Sequence, residues 1–364
     1  MNPCITAMGT AVPRYKIDQQ DVLQFMTKAH GLHGEEARRL QLLYRASGIQ
    51  SRFSVVADYL KSSDFTFFPN NDSLEPFPPT SKRQEKYTSE ALLLSVQSTE
   101  KCLAGSKIAR EEITHLVTVS CTGMYAPGLD IELVYKLGLN PSVKRTAINF
   151  MGCYAAFNAL KVANAFCKED KKAKVLVVCT ELCSIHFQKE PTEDNLLANA
   201  LFGDGSAAVL VEGSHDASKA FELSEFKCTL APSGINEMAW EVGDTGFEMK
   251  LSAYVPNIIQ TGIRQLLDSL DTDSKDGFDF YAIHPGGKKI LQVVEEQLNI
   301  PKEKNEFSRR VLKNYGNMSS ATILFVFQEI FKHLAKTDHH KKMLSFAFGP
   351  GLTMESLVIK THVH

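Results

Sequence analysis

Three residues of the sequence could together carry out acyl transfer, and the first of them is Cys153. It follows Gly152 at the start of the amphipathic stretch YAAFNALKVANAF, whose apolar spacing predicts a helix. A thiol at a helix N-terminus faces unpaired backbone N–H groups and the positive end of the helix dipole, and both lower its pKa. The same position also suits a small buried core residue, so the local sequence leaves both interpretations open.

The other two residues, His284 and Asn317, lie at the predicted ends of elements, where functional sites are often built. His284 follows the apolar run FDFYAI and begins a Pro-Gly-Gly turn, and Asn317 lies in the turn NYGNMSS before a long helical pattern. A thiolate can attack a thioester while an imidazole N–H and an amide N–H hold the developing oxyanion. Taken singly, a lone His is more often structural, and an Asn before a helix is commonly a cap or turn residue.

The elements that must position these residues alternate between short β-branched runs and longer helical patterns, which predicts an α/β fold. Strands are predicted at Ile113–Ser120, Val175–Thr180, Ser206–Val211, Phe278–Ile283 and Ser356–Lys360. Helices are predicted at Cys153–Cys167, Ile258–Leu270, Lys288–Leu298 and Ser319–Leu334.

Two pairs of similar segments indicate an internal duplication. Phe202-Gly-Asp-Gly precedes the strand SAAVLV, just as Phe348-Gly-Pro-Gly precedes LTMESLVIK, and ITHLVTVSCTG resembles FDFYAIHPGG. The polar stretch at 212–222 would join an N-terminal half, 1–220, to a C-terminal half, 221–364. In contrast, Asp64 to Lys86 contains four prolines and an Asn pair, and we expect a surface loop without stable structure there.

Composition limits the class of protein. The 364 residues are 44% hydrophobic and 23% charged, as in ordinary globular proteins, and the length fits about two domains. A net charge of -2 without a basic cluster argues against a nucleic-acid partner. The sequence contains no signal-peptide pattern and no apolar run long enough to span a membrane, so we expect a cytoplasmic protein without membrane insertion.

The eight cysteines lie mostly inside apolar runs rather than at the spacings of a secreted disulfide framework, which predicts reduced thiols. Cys179 and Cys183 are not followed by a second Cys pair or a spaced His pair, and the sequence therefore predicts no metal site.

The motifs GNMSSAT, IHPGG and FGPGLT, together with ALFGDGSAA and the segment around Cys153, resemble the type III, or chalcone synthase-like, polyketide synthases of the thiolase superfamily. The similarity runs from about residue 5 to the C-terminus. It implies a thiolase-like duplicated βαβαβ architecture in five layers, α/β/α/β/α. The N-terminal half would carry the catalytic Cys, and the C-terminal half the catalytic His and Asn.

The resemblance also implies an activity. An acyl-CoA starter would load onto Cys153, malonyl-CoA would lose carbon dioxide, and its enolate would lengthen the bound chain by two carbons per cycle. His284 and Asn317 would stabilise the enolate and the oxyanion, and His284 as imidazolium would keep Cys153 ionised. The product would be a pyrone or a resorcinol- or phloroglucinol-type polyketide. We expect no metal and no redox cofactor, in agreement with the lack of a GxGxxG pattern at Gly203 and Gly349.

Further residues match the family's substrate-binding positions. Phe202 and Phe247 match two Phe residues that guard the junction between the CoA tunnel and the cavity. His186 replaces a Thr of the plant enzymes, and this bulkier side chain is expected to narrow or redirect the cavity. Cys121 and Cys183 also replace threonines, and Thr122 and Ser319 complete the predicted lining.

The resemblance also assigns residues to CoA and to a partner subunit. Arg38 and Arg45 match two bases that contact the CoA phosphates, although Gln41 replaces a third base and exposed Arg residues are commonly just solvated. The loop Ala126-Pro127-Gly128 resembles the segment that reaches into a partner's cavity, which implies a homodimer.

Two other functions remain open at this point. A ketoacyl synthase III-like enzyme shares the fold and the Cys, His and Asn set but performs one condensation with malonyl-acyl carrier protein, whose docking normally needs a basic patch. A non-catalytic binding or scaffold protein of the same fold is the second alternative, although all three candidate catalytic residues are present.

Overall fold

The computed structural model describes residues 2–270 and 277–364. Its helices are α1 (Gln19–Ala29), α2 (Gly34–Ala46), α3 (Thr80–Ala104), α4 (Leu129–Leu137), α5 (Ala155–Glu169), α6 (Glu193–Leu201), α7 (Val255–Asp268), α8 (Lys288–Leu298), α9 (Glu306–Tyr315) and α10 (Thr322–His333). Its strands are β1 (Cys4–Ala11), β2 (Tyr15–Asp18), β3 (Ser51–Ser54), β4 (His115–Ser120), β5 (Lys144–Asn149), β6 (Lys174–Leu182), β7 (Asp204–Glu212), β8 (Lys219–Leu230), β9 (Met238–Gly243), β10 (Gly246–Leu251), β11 (Phe280–Ile283), β12 (Lys342–Gly349) and β13 (Thr353–Val363).

Nine strands form one mixed sheet in the order β11-β12-β13-β8-β1-β7-β6-β4-β5. In the N-terminal half, β4 is parallel to β6, which is antiparallel to β7, and β7 is antiparallel to β1. In the C-terminal half, β11, β12, β13 and β8 repeat these orientations in the same order. Each pair of similar segments from the sequence lies at equivalent positions, β4 with β11 and β7 with β13, so the repeated topology matches the predicted duplication. The predicted boundary after residue 220 falls inside β8.

The elements stack in five layers, as the family resemblance implies. Helices α5 and α10 lie between the two halves of the sheet and form one core with both. Helices α3 and α4 cover the outer face of the N-terminal half, and α7 and α8 cover that of the C-terminal half. Successive strand residues point to opposite faces, so Leu116 of β4 packs in the outer core and Val117 packs in the central core.

The predicted elements all occur in the described residues, and all but one have shifted ends. Lys288–Leu298 is confirmed without change as α8. Two predicted helices begin instead with a 3₁₀ turn, Gly152–Tyr154 before α5 and Ser319–Ala321 before α10. Predicted helix Ile258–Leu270 is observed as α7, which starts three residues earlier and ends at Asp268.

The expectation of an unstructured loop from Asp64 to Lys86 is wrong. Helix α3 already begins at Thr80, and Phe67 and Phe68 are buried. The buried carboxylate of Asp58 accepts hydrogen bonds from the N–H groups of both phenylalanines, at 2.8 and 2.9 Å. Phe68 packs against other aromatic rings, which offsets the entropic cost of ordering this segment.

None of the helices in the described ranges combines the length and the apolar composition needed to cross a lipid bilayer.

Candidate active site

Cys153 is held at the junction between β5 and α5. It lies in the 3₁₀ turn Gly152–Tyr154, so its thiol is at the N-terminal end of a central helix. The backbone at Gly152 has φ +77°, and a Cβ there would lie 2.4 Å from Cδ of Pro350. Glycine at position 152 is therefore required by its positive φ and by close contact with the Gly-Pro-Gly turn of the C-terminal half.

Asn317 is positioned by both its backbone and its side chain. Its N–H donates to the carbonyl of Leu201, and its carbonyl accepts from the N–H of Gly203, each at 2.9 Å. The side-chain Oδ1 accepts the backbone N–H of Ser319 at 2.9 Å, which fixes the amide orientation. Oδ1 and Nδ2 both lie 3.8 Å from Sγ of Cys153, and Nδ2 also donates to the carbonyl oxygen of Gly286 at 3.3 Å, so Nδ2 is the donor that the amide offers to the site.

His284 comes directly after β11, and its backbone N–H donates to the carbonyl of Phe346 at 2.8 Å. The imidazole is almost fully buried, and neither ring nitrogen has a hydrogen-bond partner in the described part of the chain. Buried polar groups are normally paired, so an unpaired buried imidazole indicates a ligand-binding or catalytic role. His284, Cys153 and Asn317 line the same cavity.

Burial acts on the two titratable groups in opposite directions. It raises the pKa of Cys153 to about 12, although hydrogen bonds from Ser319 and Asn317 counteract this, and it lowers the pKa of His284 to about 3. Both directions favour the neutral thiol and the neutral imidazole, contrary to the ion pair expected from the sequence. A thiolate and an imidazolium formed together would offset part of each other's cost of burial.

The catalytic cavity has a volume of about 310 Å³ and a largely apolar lining. The predicted residues Phe202, Cys121, Thr122, Cys183 and Ser319 line it. Lining residues that the sequence analysis did not identify include Leu197, Leu201, Trp240, Met249 and Leu251. Trp240 donates its indole N–H to the carbonyl of Cys121 at 2.6 Å. The one Trp of the sequence could have been singled out by its rarity alone.

A buried carboxyl group supports one wall of the cavity. Glu181 accepts the N–H of Cys121 at 2.9 Å, the hydroxyl of Thr122 at 2.8 Å and the hydroxyl of Ser320. Burial raises the pKa of Glu181. The Sγ of Cys121 in turn accepts the N–H of Gly152 at 3.0 Å, so this network reaches the residue before Cys153. The signal in the sequence is a Glu inside the apolar strand VLVVCTEL.

Two predicted residues, His186 and Phe247, lie outside the catalytic cavity. Their rings stack at a centroid distance of 4.2 Å and line a smaller cavity of about 50 Å³. His186 Nε2 donates to the carbonyl of Thr122 at 2.8 Å, and Nδ1 accepts the N–H of Phe247 at 3.0 Å. This pairing fixes one neutral tautomer, and burial lowers the pKa of His186 to about 3. His186 thus holds the backbone of Thr122, which lines the catalytic cavity. It does not line this cavity itself and does not narrow it as expected.

The predicted CoA-binding residues Arg38 and Arg45 do not line the cavity. Arg38 lines a separate surface groove with Leu32 and Asp72, and Arg45 is exposed on α2. The bases at the cavity are instead Lys288 and Lys289, the first residues of α8. They directly follow the Pro-Gly-Gly turn, which is the sequence signal that could have identified them.

Two family models match almost the whole chain. The model described as chalcone and stilbene synthases, N-terminal domain, matches residues 2–215, and the corresponding C-terminal domain matches residues 222–363. Among curated proteins, the chain is 30% identical over 373 residues to "Probable polyketide synthase 1" of Dictyostelium discoideum. That match covers 100% of this chain but 12% of the relative, so the chain spans only a small part of that protein's length.

Solved structures of the same kind are similar over the whole chain. PKS-I from the brown alga Ectocarpus siliculosus is 29% identical with a TM-score of 0.91, and the match covers 99% of this chain and 98% of that chain. The C-terminal type III polyketide synthase domain of "Steely1", a type I/III hybrid from Dictyostelium, is 28% identical with a TM-score of 0.92, and the match covers 100% of both chains.

Proposed function

Because the chain belongs to the chalcone and stilbene synthase family, we propose that it is a type III polyketide synthase that condenses malonyl-CoA repeatedly onto an acyl group held by Cys153. The observation that carries this proposal is the convergence of three groups in one cavity. Sγ of Cys153 lies 3.8 Å from Nδ2 of Asn317, and the unpaired imidazole of His284 lines the same space. This set supplies one nucleophile and two hydrogen-bond donors.

Loading begins with transfer of the thiol proton of Cys153 to His284. The Sγ then attacks the thioester carbonyl of the starter, a new C–S bond forms, and the bond to the CoA sulfur breaks. CoA leaves as a thiol with the proton that His284 returns. The oxyanion of the tetrahedral intermediate accepts hydrogen bonds from Nδ2 of Asn317 and from a ring N–H of His284.

Extension uses the same two donors. Loss of carbon dioxide from malonyl-CoA leaves the electron pair of the broken C–C bond in an enolate, whose oxygen is held by Asn317 and His284. The enolate carbon attacks the thioester on Cys153, and the lengthened chain remains on CoA after Sγ leaves. Return of this chain to Cys153 starts the next cycle, and release gives a pyrone or a resorcinol- or phloroglucinol-type product.

The cavity lining favours an apolar starter. Leu197, Leu201, Met249 and Leu251 present aliphatic or thioether side chains to the space around Cys153. Burial of methylene groups against them is favourable, whereas a charged acyl group would lose its hydration there. The substrates are therefore malonyl-CoA and an apolar acyl-CoA, and the chemistry needs neither a metal nor a redox cofactor.

The proposal is tested by incubating the purified protein with malonyl-CoA and acyl-CoA starters from acetyl to long-chain and aromatic, with product identification by mass. We expect products carrying two or more malonyl-derived extensions, with aliphatic starters preferred. A protein that is inactive until malonyl-acyl carrier protein is supplied, and then condenses only once, would be a ketoacyl synthase III-like enzyme. No turnover with either malonyl donor would support the non-catalytic alternative.

We propose that Lys288 and Lys289 bind the phosphates of CoA at the cavity mouth. The side chain of Lys288 extends over Gly48, just beyond the end of α2, so that a Cβ at Gly48 would lie 3.1 Å from Cδ of Lys288. Leu43 and Ser47 from the same region also line the cavity, so its mouth lies between α2 and α8. Two ammonium groups beside the N-terminus of α8 favour an anionic ligand.

The double variant Lys288→Glu/Lys289→Glu should raise the KM for CoA thioesters about tenfold or more with little change in kcat, because two attractive charges become repulsive. Steady-state kinetics should be run with CoA thioesters and with N-acetylcysteamine thioesters, which lack the phosphates and should show no change in KM. Arg38→Glu is the matched control. If that variant raised the KM and the lysine variant did not, the CoA phosphates would lie at Arg38 instead.

A homodimer and a cytoplasmic location complete the proposal. Two large apolar side chains in this region are exposed, Met124 just before the Ala126–Gly128 loop at 48% and Tyr135 on the following helix α4 at 79%. Exposed apolar residues around one loop support contact with a second copy of the chain.

All eight cysteines are free thiols, which supports the proposed location in a reducing compartment.

A further inference from the structure

A cluster of histidines lies at the opposite end of β12 and β13 from the catalytic turn. His339 and His340 lie just before β12, separated from it by Lys341, and His362 lies near the end of β13. The backbone holds the two segments together, since the N–H of His340 donates to the carbonyl of Thr361 at 2.7 Å. The rings of His339 and His340 are 3.7 Å apart between centroids, and those of His340 and His362 are 5.3 Å apart.

One ring nitrogen from each of these three residues lies within 4.8 Å of the others. Ligands bound to one zinc ion lie about 2.0–2.1 Å from the metal, so small side-chain rotations would bring all three nitrogens onto one ion. The ring of His364 lies 5.0 Å from that of His339 and is close enough to supply a fourth ligand. His339 would exchange a hydrogen bond, in which Nδ1 accepts the N–H of Val363 at 3.1 Å, for the bond to the metal.

The surroundings of His362 resemble the outer shell of a metal site. Nε2 of His362 lies 2.8 Å from Oε2 of Glu222, while the other carboxylate oxygen of Glu222 accepts from Nδ2 of Asn2 at 2.9 Å. A carboxylate that accepts the N–H of one ring nitrogen leaves the other nitrogen, Nδ1, available as a ligand and fixes the ring orientation. Glu222 is in turn held by Asn2, so the orienting group is itself positioned.

His340 is held in an unfavourable backbone conformation, with φ +62°. This region is uncommon for residues other than Gly, and it persists where the surrounding structure imposes it. The strained residue is the exposed member of the cluster, and its ring is placed over that of His339. Crowded imidazoles repel each other when protonated, whereas neutral imidazoles can share one cation that takes the place of their protons.

We propose that His339, His340 and His362 bind one divalent transition-metal ion of the zinc, nickel or copper type, and that Glu222 orients His362. Imidazole nitrogen is a preferred ligand of these ions. The role of the ion is structural, because it joins the start of β12 to the end of β13. From Thr353 to His362 the strand extends roughly 30 Å at about 3.3 Å per residue, so the ion lies far from the turn that contacts Gly152.

Calorimetric titration of the metal-stripped full chain with zinc chloride tests the proposal. The Cys153→Ala background removes the catalytic thiol as a competing ligand. We expect one ion per chain and a midpoint of thermal unfolding that rises with zinc concentration and falls again on chelation, since a ligand that binds only the folded state stabilises it. Cobalt in place of zinc should give visible absorption bands typical of imidazole ligation. Absence of binding, or stoichiometric binding without a shift in the midpoint, would overturn the proposal.

His340→Asn is the decisive variant, because Asn tolerates positive φ and the fold should be retained while one imidazole is lost. We expect its zinc affinity to fall at least tenfold and its metal-free thermal midpoint to stay close to that of the parent. His33→Asn, at an exposed His outside the cluster, is the matched control and should bind zinc like the parent. Unchanged affinity in His340→Asn would refute ligation by this cluster. Polyketide formation by the His340→Asn variant with Cys153 intact should equal that of the parent, and a loss would contradict the structural role.

Discussion

Cys153→Ala should abolish polyketide formation, by a factor of about 10⁴ or more, while the variant still decarboxylates malonyl-CoA. The thiol is the only group of the three that forms a covalent bond, so its loss removes the acyl carrier and leaves the enolate without a bound thioester to attack. Asn317 and His284 remain in the cavity and can still hold the oxygen of the malonyl-derived enolate. Acetyl-CoA should therefore accumulate in place of product.

The measurement combines product mass analysis, release of carbon dioxide and mass spectrometry of the intact protein after incubation with an acyl-CoA. The parent should gain one acyl group, and the variant should gain none. Cys167→Ala is the matched control, because Cys167 lies on the same helix α5 but its Sγ contacts the carbonyls of Ala173 and Val211 within the core. Full product formation by Cys153→Ala would exclude the covalent mechanism, as would acylation of a different residue in the parent.

The sequence was sufficient to single out the three residues that line one cavity, because their signals are local. Cys153, His284 and Asn317 each end or begin an element, and the motifs around them occur in the order typical of the family. The duplicated topology could be inferred for the same reason, since a Gly-containing turn and an apolar strand recur in each half. What the motifs do not contain is the orientation of the Asn317 amide, which depends on the N–H of Ser319 in the folded chain.

The lining of the catalytic cavity could be predicted only in part, because tertiary packing determines which side chains reach the cavity surface. His186 and Phe247 match pocket residues of the family. In the folded chain their rings stack, the N–H of Phe247 donates to Nδ1 of His186, and both residues line the smaller cavity instead. Arg38 lines a different groove because of its position on α2, and its contact with CoA stays a prediction that the Arg38→Glu variant tests. A family motif predicts where a residue lies along the chain. Whether its side chain is buried, and which cavity it lines, depends on packing in the folded chain.

The cluster of His339, His340 and His362 could not be found from the spacing of residues along the sequence. Searches for metal sites rely on ligands separated by a few residues. His340 and His362 are distant in sequence and become neighbours because β12 and β13 pair in antiparallel register, Lys342 with Lys360.

The segment from Asp64 to Lys86 was wrongly predicted to lack stable structure. Its prolines indicated a loop, whereas its buried phenylalanines determine how it packs.

Asn317→Ala should lower both malonyl-CoA decarboxylation and condensation by about a hundredfold or more, the scale expected for the loss of one oxyanion donor. This differs from Cys153→Ala, which spares decarboxylation, so the pair of variants separates the donor from the nucleophile. The prediction rests on Nδ2, which faces the cavity beside Sγ of Cys153. Asn140→Ala, at an exposed turn residue, is the control and should retain both activities. Unchanged decarboxylation in Asn317→Ala would remove Asn317 from its assigned role.

Asn317→Asp distinguishes loss of the donor from loss of local structure. Oδ1 of Asn317 accepts from the N–H of Ser319 and, at 3.3 Å, from the hydroxyl of Thr322, so alanine could disturb the turn before α10. Aspartate keeps an acceptor for both groups but replaces Nδ2 with an oxygen that repels the enolate. If Nδ2 is the catalytic group, Asn317→Asp should lose decarboxylation at least as strongly as Asn317→Ala, although the acceptor that holds the turn is kept. Restored decarboxylation in Asn317→Asp would mean that the acceptor side of the amide, and hence the turn it holds, matters more than the donor.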